Sequence, residues 1–188
     1  RMSSYLVAFV VGDLQRTTAT TKGGVEVNVY ATKAHPAAAL TWALEHATRS
    51  IDFFDDYFGV PYPLPKSDHV ALPDFSSGAM ENWGLITYRE IALLADPATV
   101  SIGGKQYVAE VVAHELSHQW FGNLVTMKWW DNLWLNESFA TIMEYLAPNN
   151  FHPDWNLWFE FSTNEGVLAL RRDCIDGVQP VQVAVNHP

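Results

Sequence analysis

The stretch His114-Glu115-Leu116-Ser117-His118 lies inside a run of apolar residues with helical spacing. On a helix, positions i and i+4 lie one turn apart on the same face, so both imidazoles can reach a single metal ion. Glu115 is rotated by about 100° from the first histidine, close enough to act on a nearby water without ligating the metal. The pattern therefore predicts a helix that supplies two metal ligands and a separate base.

Two histidines do not complete a catalytic zinc site, which usually has three protein ligands and one open position. The chain has one cysteine, Cys174, so a thiolate cluster and an internal disulfide are both excluded. Glu137 follows His118 after 18 residues, beside Trp134 and Phe139. A carboxylate among aromatic residues is costly to bury unless it is paired or bound to metal. We therefore interpret Glu137 as the candidate third ligand.

The composition excludes several classes of partner. The 188 residues contain 11 Lys and Arg against 21 Asp and Glu, a net charge of −10, which argues against binding to nucleic acid. The apolar stretch at residues 5–11 is far shorter than the roughly 18 residues that a membrane span needs. The hydrophobic fraction of 48% is enough for a packed core. We expect a globular chain without a membrane segment.

The hydrophobic periodicity predicts a mixed α+β fold. Strands are expected at 5–11, 25–30, 69–72 and 84–88, with a hairpin over about 13–30. Helices are expected at 36–59, 105–121, 133–146 and 154–172. Pro148 should close the third helix and Asp131 or Asn132 should cap its first turn. The prolines of residues 61–65 indicate a stiff connector.

The spaced His-Glu-His-Glu pattern and an upstream Gly78-Ala79-Met80-Glu81-Asn82 together resemble the M1 family of zinc aminopeptidases, the gluzincins related to aminopeptidase N. The resemblance covers nearly the whole chain. It implies a thermolysin-like α+β catalytic domain and removal of N-terminal amino acids from peptides with a free N-terminus. It also implies one Zn²⁺ on His114, His118 and Glu137, with Glu115 as the general base. Glu81 would anchor the substrate's α-amine, within a substrate-binding stretch formed with Gly78, Ala79, Met80 and Asn82.

The same resemblance predicts the domain organisation. Residues 1–31 would be the end of an N-terminal β domain, and residues 32–188 a catalytic domain truncated at its C-terminal side. Family members use a tyrosine well after the glutamate ligand to stabilise the oxyanion, whereas the last tyrosine here is Tyr145, eight residues after Glu137. We expect this piece to bind zinc and to hydrolyse peptides weakly or not at all. Ser138 stands where many members have Gly, and we expect no loss from it.

Several alternatives and smaller expectations stay open at this point. The chain could be a non-catalytic, zinc-stabilised peptide-binding module, a bifunctional aminopeptidase and epoxide hydrolase of the same family, or a structural zinc site with four ligands. One cysteine and no anchor favour a cytoplasmic protein. Asp131, Glu144 and Glu90 are candidate partners for the second nitrogen of a ligand histidine. We expect Cys174 to be buried and five tryptophans to lie in the core: Trp129, Trp130, Trp134, Trp155 and Trp158.

Overall fold

A computed structural model of the chain describes residues 2–187. Its centre is a five-stranded sheet with the order β1-β2-β3-β5-β4. The strands are β1 (Leu14–Thr20), β2 (Glu26–Thr32), β3 (Lys66–Leu72), β4 (Ala79–Met80) and β5 (Leu85–Arg89). The inner pairs β2/β3 and β3/β5 are parallel, and the outer pairs β1/β2 and β4/β5 are antiparallel. The predicted mixed α+β fold is confirmed.

The first two strands form the predicted hairpin. Its turn contains Gly24, whose φ of 86° lies in the left-handed region that glycine adopts without strain. The hairpin continues into the central sheet, because β2 pairs with β3 from Glu26 opposite Lys66 to Tyr30 opposite Val70. The domain boundary between residues 31 and 32 stays a prediction.

The predicted strand at residues 5–11 is wrong. Ser4–Leu6 forms a single 3₁₀ turn, and residues 7–13 have no regular secondary structure. The apolar side chains of Phe9 and Val11 are 85% and 90% exposed, and within residues 2–187 no strand pairs with this stretch. An apolar run predicts a strand only where a neighbouring strand is available to take its backbone hydrogen bonds.

The first long helix, α1 (Thr41–Phe58), connects the parallel strands β2 and β3. It ends as predicted at Gly59, which has a φ of 65° and donates its N–H to the carbonyl of Asp55. Its apolar face enters the core through Ala43, Ala47, Ile51 and Phe54. This face packs against the helix that carries the two histidines.

That helix, α2 (Ile102–Ser117), ends four residues before the predicted limit. His118 still has helical dihedral angles, φ −60° and ψ −25°, so the i, i+4 relation of the two histidines is preserved. The N–H of Phe121 returns to the carbonyl of Ser117 at 3.0 Å, which adds a tight turn after the helix. Gly122, with φ 125°, then breaks the run as predicted.

The third helix, α3 (Trp134–Phe151), corrects two predictions. Neither Asp131 nor Asn132 caps it, because a 3₁₀ turn at Trp130–Asn132 leads directly into its first turn. Pro148 does not end it either, because the helix continues to Phe151. Pro148 lies in the last turn of α3 and is buried. Its missing N–H costs the helix one backbone hydrogen bond, and the packing of the buried ring keeps the chain helical there.

The C-terminal helix is interrupted. The predicted helix at 154–172 consists of α4 (Leu157–Phe161), a π-helical turn at Ser162–Gly166 and α5 (Val167–Asp173). Cys174 is exposed, contrary to the prediction, because α5 and the segment after it are almost wholly exposed to solvent. No helix among the described residues is long and apolar enough to cross a membrane.

The core lies between the sheet and the first three helices, and tryptophans contribute less to it than predicted. Trp129, Trp134 and Trp158 are exposed, while Trp130 and Trp155 are partly buried. The sequence pattern missed this because Trp129 lies in a loop, where its indole donates to the carbonyl of Val185 at 2.6 Å. The large buried side chains come from residues such as Phe54, Ile86, Tyr88 and Leu116.

The buried His69 should make the fold sensitive to acid. Its ring contacts Ser67 Oγ at 3.1 Å and Tyr88 Oη at 2.9 Å, and burial lowers the pKa of His69 to about 3. The unfolded chain takes up this proton below about pH 6.5, whereas the folded chain takes it up only near pH 3. The contribution of His69 to stability is therefore present above pH 6.5 and is lost as the pH falls toward 3.

We expect urea titrations of a His69→Gln variant between pH 6 and 5 to show a shallower loss of unfolding free energy than the unsubstituted chain. The difference should approach about 1.4 kcal/mol per pH unit. His187→Gln, which changes an exposed histidine, serves as the control and should keep the original slope. Equal slopes for all three proteins would contradict the assignment.

Candidate active site

Packing of α2 against α3 brings the three predicted metal ligands together. The Oε2 atom of Glu137 lies 3.5 Å from Nε2 of His114 and 3.6 Å from Nε2 of His118. One ligand atom from each of the three residues lies within 4.8 Å of the other two. The fold therefore forms the three-donor cluster that the sequence spacing predicts.

These distances can be compared with the separation of two ligand atoms around one bound metal ion. Two ligand atoms bound at about 2.0–2.2 Å to one tetrahedral Zn²⁺ are about 3.4 Å apart. The separations of 3.5 and 3.6 Å match that value closely. Two imidazoles and one carboxylate are also a donor set that suits zinc and leaves one position open. The residues present fit a divalent metal ion.

The charges of the three groups depend on one another. Hydrogen bonding to His114 and His118 holds the pKa of Glu137 well below its ordinary value. Burial alone would lower the pKa of His114, but the carboxylates of Glu137 and Glu144 outweigh it and raise that pKa to about 10. Positive charge is thus favoured at this point of the structure, as a cation site requires.

Each ligand histidine has a partner on its other ring nitrogen. Nδ1 of His114 lies 2.6 Å from Oε2 of Glu144, and Nδ1 of His118 lies 3.2 Å from the carbonyl of Phe121. When a metal ion takes the place of the second ring proton, Nδ1–H still donates to its partner and Nε2 is free to bind the metal. Glu144 on α3 is therefore the partner among the three candidates that the sequence offered.

The other two candidates face elsewhere. Glu90 contacts Nε2 of His35 at 2.7 Å, and Asp131 accepts a hydrogen bond from Gln182 at 3.0 Å. Sequence spacing could not tell which of the three carboxylates contacts a ligand histidine, because that contact depends on how the helices and loops pack together.

Glu115 lies beside the metal ligands and is almost fully buried. Its Oε2 atom has no hydrogen-bond partner among the described residues. Burial raises the pKa of Glu115 to about 7, while His114 and His118 act in the opposite direction. A carboxylate with an unpaired oxygen and this pKa can accept a proton at neutral pH.

Glu81 is the second buried carboxylate of the site, with 4% of its surface exposed. Its backbone carbonyl accepts hydrogen bonds from Nδ2 of Asn123 at 2.9 Å and Nε2 of Gln119 at 3.2 Å. Both donors come from the turn that follows His118. One side-chain oxygen or ring nitrogen from each of Glu81, Glu115 and His118 lies within 4.8 Å of the other two, so Glu81 adjoins the candidate metal ligands.

The remaining residues of the upstream motif lie at the edge of the sheet. Ala79 and Met80 form β4, which pairs only with β5 within residues 2–187, so its outer edge faces away from the sheet. The carbonyl of Gly78 accepts the N–H of Arg89 at 2.8 Å. Asn82 accepts a hydrogen bond from Thr87 at 3.0 Å, which holds the bend between β4 and β5.

A cleft of about 440 Å³ opens beside Glu81. Its walls combine polar and aromatic side chains, among them Tyr5, Glu81, Asn123, Trp130 and Asn136. Four of these, Tyr5, Asn123, Trp130 and Asn136, were absent from the predicted site. A signal for Asn136 was present in the sequence, since it directly precedes Glu137, whereas Tyr5 reaches the cleft only through the three-dimensional fold.

The sequence matches the family model described as Peptidase family M1 domain over residues 42–188. Aminopeptidase N from Lactococcus lactis subsp. cremoris is 62% identical over 188 residues, which make up 100% of this chain and 22% of that protein. Aminopeptidase M1-A from Oryza sativa subsp. japonica is 53% identical over 186 residues, 99% of this chain and 21% of that protein. Puromycin-sensitive aminopeptidase from Caenorhabditis elegans is 48% identical over 188 residues, 100% of this chain and 20% of that protein.

The chain therefore belongs to peptidase family M1, as the resemblance of its motifs indicated. It spans about a fifth of the length of these curated relatives.

Gly122 is required where the turn after α2 meets α3. Its φ is 125°, and a Cβ at this position would lie 2.2 Å from Oδ1 of Asn136. We expect Gly122→Ala to lower the free energy of unfolding by on the order of 2–4 kcal/mol, through backbone strain and the clash. Chemical denaturation of the purified variant measures this loss.

Gly103→Ala is the matched control, because Gly103 lies in α2 and a Cβ there meets nothing within 4 Å. This control should be neutral or slightly stabilising, since alanine favours a helix more than glycine does. Equal effects of the two substitutions would refute the role given to the contact with Asn136.

Proposed function

We propose that this chain forms the core of the catalytic site of a zinc-dependent aminopeptidase with a thermolysin-like catalytic domain. The observation that carries the proposal is the convergence of His114 and His118 on one oxygen of Glu137, at 3.5 and 3.6 Å. Membership of peptidase family M1 and relatives named as aminopeptidases support the reaction class. The substrates would be peptides with a free N-terminus.

The chemistry follows from the residues around the cluster. His114, His118 and Glu137 would hold a zinc ion, which would supply a Lewis acid for the scissile carbonyl and for the attacking water. Glu115 accepts a proton from the attacking water through its unpaired oxygen and later delivers it to the departing amine. Burial of this carboxylate keeps its affinity for the proton high enough for both transfers.

Glu81 gives the site its preference for the end of a chain. An α-ammonium group forms charge-assisted hydrogen bonds with a carboxylate, whereas the amide of an internal residue gains much less. The closeness of Glu81 and Glu115 supports this role, since an amine bound to Glu81 would lie beside the carbonyl under attack. The open edge of β4 can pair with the extended backbone of the peptide. In this proposal Gly78, Ala79, Met80 and Asn82 shape the strand and bend that contact substrate.

The unpaired oxygen of Glu115 argues against the alternative of a peptide-binding module without catalysis. Burying a carboxylate oxygen without a hydrogen-bond partner is unfavourable. A module that only binds peptides would not need such an oxygen, whereas a general base does. A purely structural zinc site would need a fourth protein ligand, and the cluster found among the described residues has three. A cytoplasmic location stays a prediction.

Zinc binding is the first test. Elemental analysis after dialysis should find one zinc per chain, and Glu137→Ala should weaken binding severely. Glu144→Ala should weaken it about 10- to 100-fold, because the substitution removes the acceptor that orients His114. Competition titration with a chromophoric chelator measures both losses.

Glu45→Gln is the control for charge alone, since Glu45 is an exposed carboxylate on α1 that pairs with Arg49. Its zinc affinity should equal that of the unsubstituted chain. A folded chain that takes up no zinc, or a Glu137→Ala variant that binds zinc as tightly as before, would disprove the three-ligand site.

The 188-residue chain by itself should hydrolyse an aminoacyl-anilide slowly. It has no tyrosine after Tyr145, and loss of an oxyanion donor typically lowers kcat by about 10²–10³. A release assay at equal zinc occupancy, with Lactococcus lactis aminopeptidase N alongside, measures the difference. Rates equal to those of the longer relative would show that hydrolysis does not need an oxyanion-stabilising tyrosine after Tyr145.

A further inference from the structure

The hydroxyl of Tyr5 lies next to the carboxylate of Glu81. It donates a hydrogen bond to Oε1 of Glu81 at 3.2 Å, across 76 positions of sequence. Neither the metal cluster nor the base Glu115 uses this tyrosine. Because Tyr5 also lines the cleft beside Glu81, its hydroxyl lies where a substrate's first residue would enter.

The backbone around Tyr5 is fixed on several sides. The hydroxyl of Ser3 accepts the N–H of Tyr5 at 3.3 Å, and the carbonyl of Leu6 accepts the N–H of Trp83 at 3.1 Å. The Tyr5 ring also meets Trp130 edge to face, with ring centroids 5.6 Å apart. These contacts hold the 3₁₀ turn Ser4–Leu6 against the residues that follow Glu81. The hydroxyl is thus presented from a fixed backbone.

A second donor reaches the same oxygen. Nδ2 of Asn136 lies 3.5 Å from Oε1 of Glu81, on the side of α3. In the described part of the chain, the side-chain hydrogen bonds to this carboxylate all go to Oε1. The carboxylate is therefore oriented through one oxygen, which leaves Oε2 to receive an ammonium group.

The phenol of Tyr5 stays a donor at neutral pH. Burial and the negative charge of Glu81 both raise the pKa of Tyr5 above its ordinary value, so the proton remains on the hydroxyl. A carboxylate held by a fixed donor loses less conformational freedom when it binds a cation. The hydroxyl should therefore matter for the recognition of a free amine and not for general binding of the peptide.

We propose that Tyr5 is a positioning residue, which orients the Glu81 carboxylate so that its second oxygen binds the α-ammonium of a peptide substrate. This inference rests on the proposed function, in which Glu81 anchors the amine. It assigns a role in the site to the N-terminal segment, which lies outside the stretch matched by the family model.

The test compares the binding of two ligands to the zinc-loaded 188-residue chain by calorimetry or NMR titration. One is a dipeptide amide with a free α-amine, and the other is the same compound with an acetylated amine. Tyr5→Phe keeps the ring contact with Trp130 and removes only the hydroxyl of a residue that is 43% exposed, so the variant should fold. We expect it to lower the affinity for the free amine about 3- to 10-fold and to leave the affinity for the acetylated ligand unchanged.

Tyr57→Phe is the matched control, because Tyr57 is an exposed tyrosine on α1 that stacks on Phe53, away from the cleft. It should change neither affinity. The melting temperature and zinc content of both variants should equal those of the unsubstituted chain. A Tyr5→Phe variant that weakens both ligands equally would show a general structural effect and overturn the assignment.

Glu81→Gln distinguishes a failure of the role given to Tyr5 from a failure of the amine anchor. If this variant loses the preference for the free amine while Tyr5→Phe retains it, the positioning role of Tyr5 is wrong and the amine anchor stands. If Glu81→Gln also retains the preference, or if the unsubstituted chain shows none, the anchor itself fails and the inference fails with it.

Discussion

The packing of α2 on α3 is the contact on which the rest of the site depends. It places a carboxylate of one helix against two imidazoles of the other, at 3.5 and 3.6 Å. The same contact brings Glu144 to the far side of His114 and so fixes the tautomer of that ring. Sliding the helices past each other would separate these ion-pairing side chains, which is costly because the two histidines and Glu144 are largely buried. The core on the opposite side of α2, built by α1 and the sheet, supports this arrangement.

The sheet is joined to this helical pair through the turn after His118. Gln119 illustrates the connection, because one end of its side chain donates to the carbonyl of Glu81 and the other accepts the N–H of Gly84. Asn123 adds a second donor to the same carbonyl. A buried amide with both ends engaged is highly specific in its geometry. The edge strand and the histidine helix therefore form one rigid unit.

The sequence predicted well what depends on local periodicity. The hairpin, the glycine end of α1 and the existence of the histidine helix were predicted correctly, because each follows from a repeat of two or 3.6 residues or from a glycine with positive φ. The roles of His114, His118 and Glu137 as metal ligands stay a prediction. Prediction failed where tertiary contacts decide. Residues 5–11 have strand composition without a strand partner, Pro148 is held in a helix by burial, and exposed Trp129 bonds to a distant loop. The links of Tyr5 and Asn136 to Glu81 join positions remote in sequence, which no local pattern can reveal.

Asn136 and Glu137 are consecutive residues, yet one faces the carboxylate of Glu81 and the other faces the histidines. A single peptide unit of α3 thus joins the side chain that contacts Glu81 to the side chain that contacts His114 and His118. A shift or rotation of α3 would therefore move both side chains together. On the proposed function, the amine anchor and the metal ligands are coupled through one helix, and a displacement of that helix alters both at once.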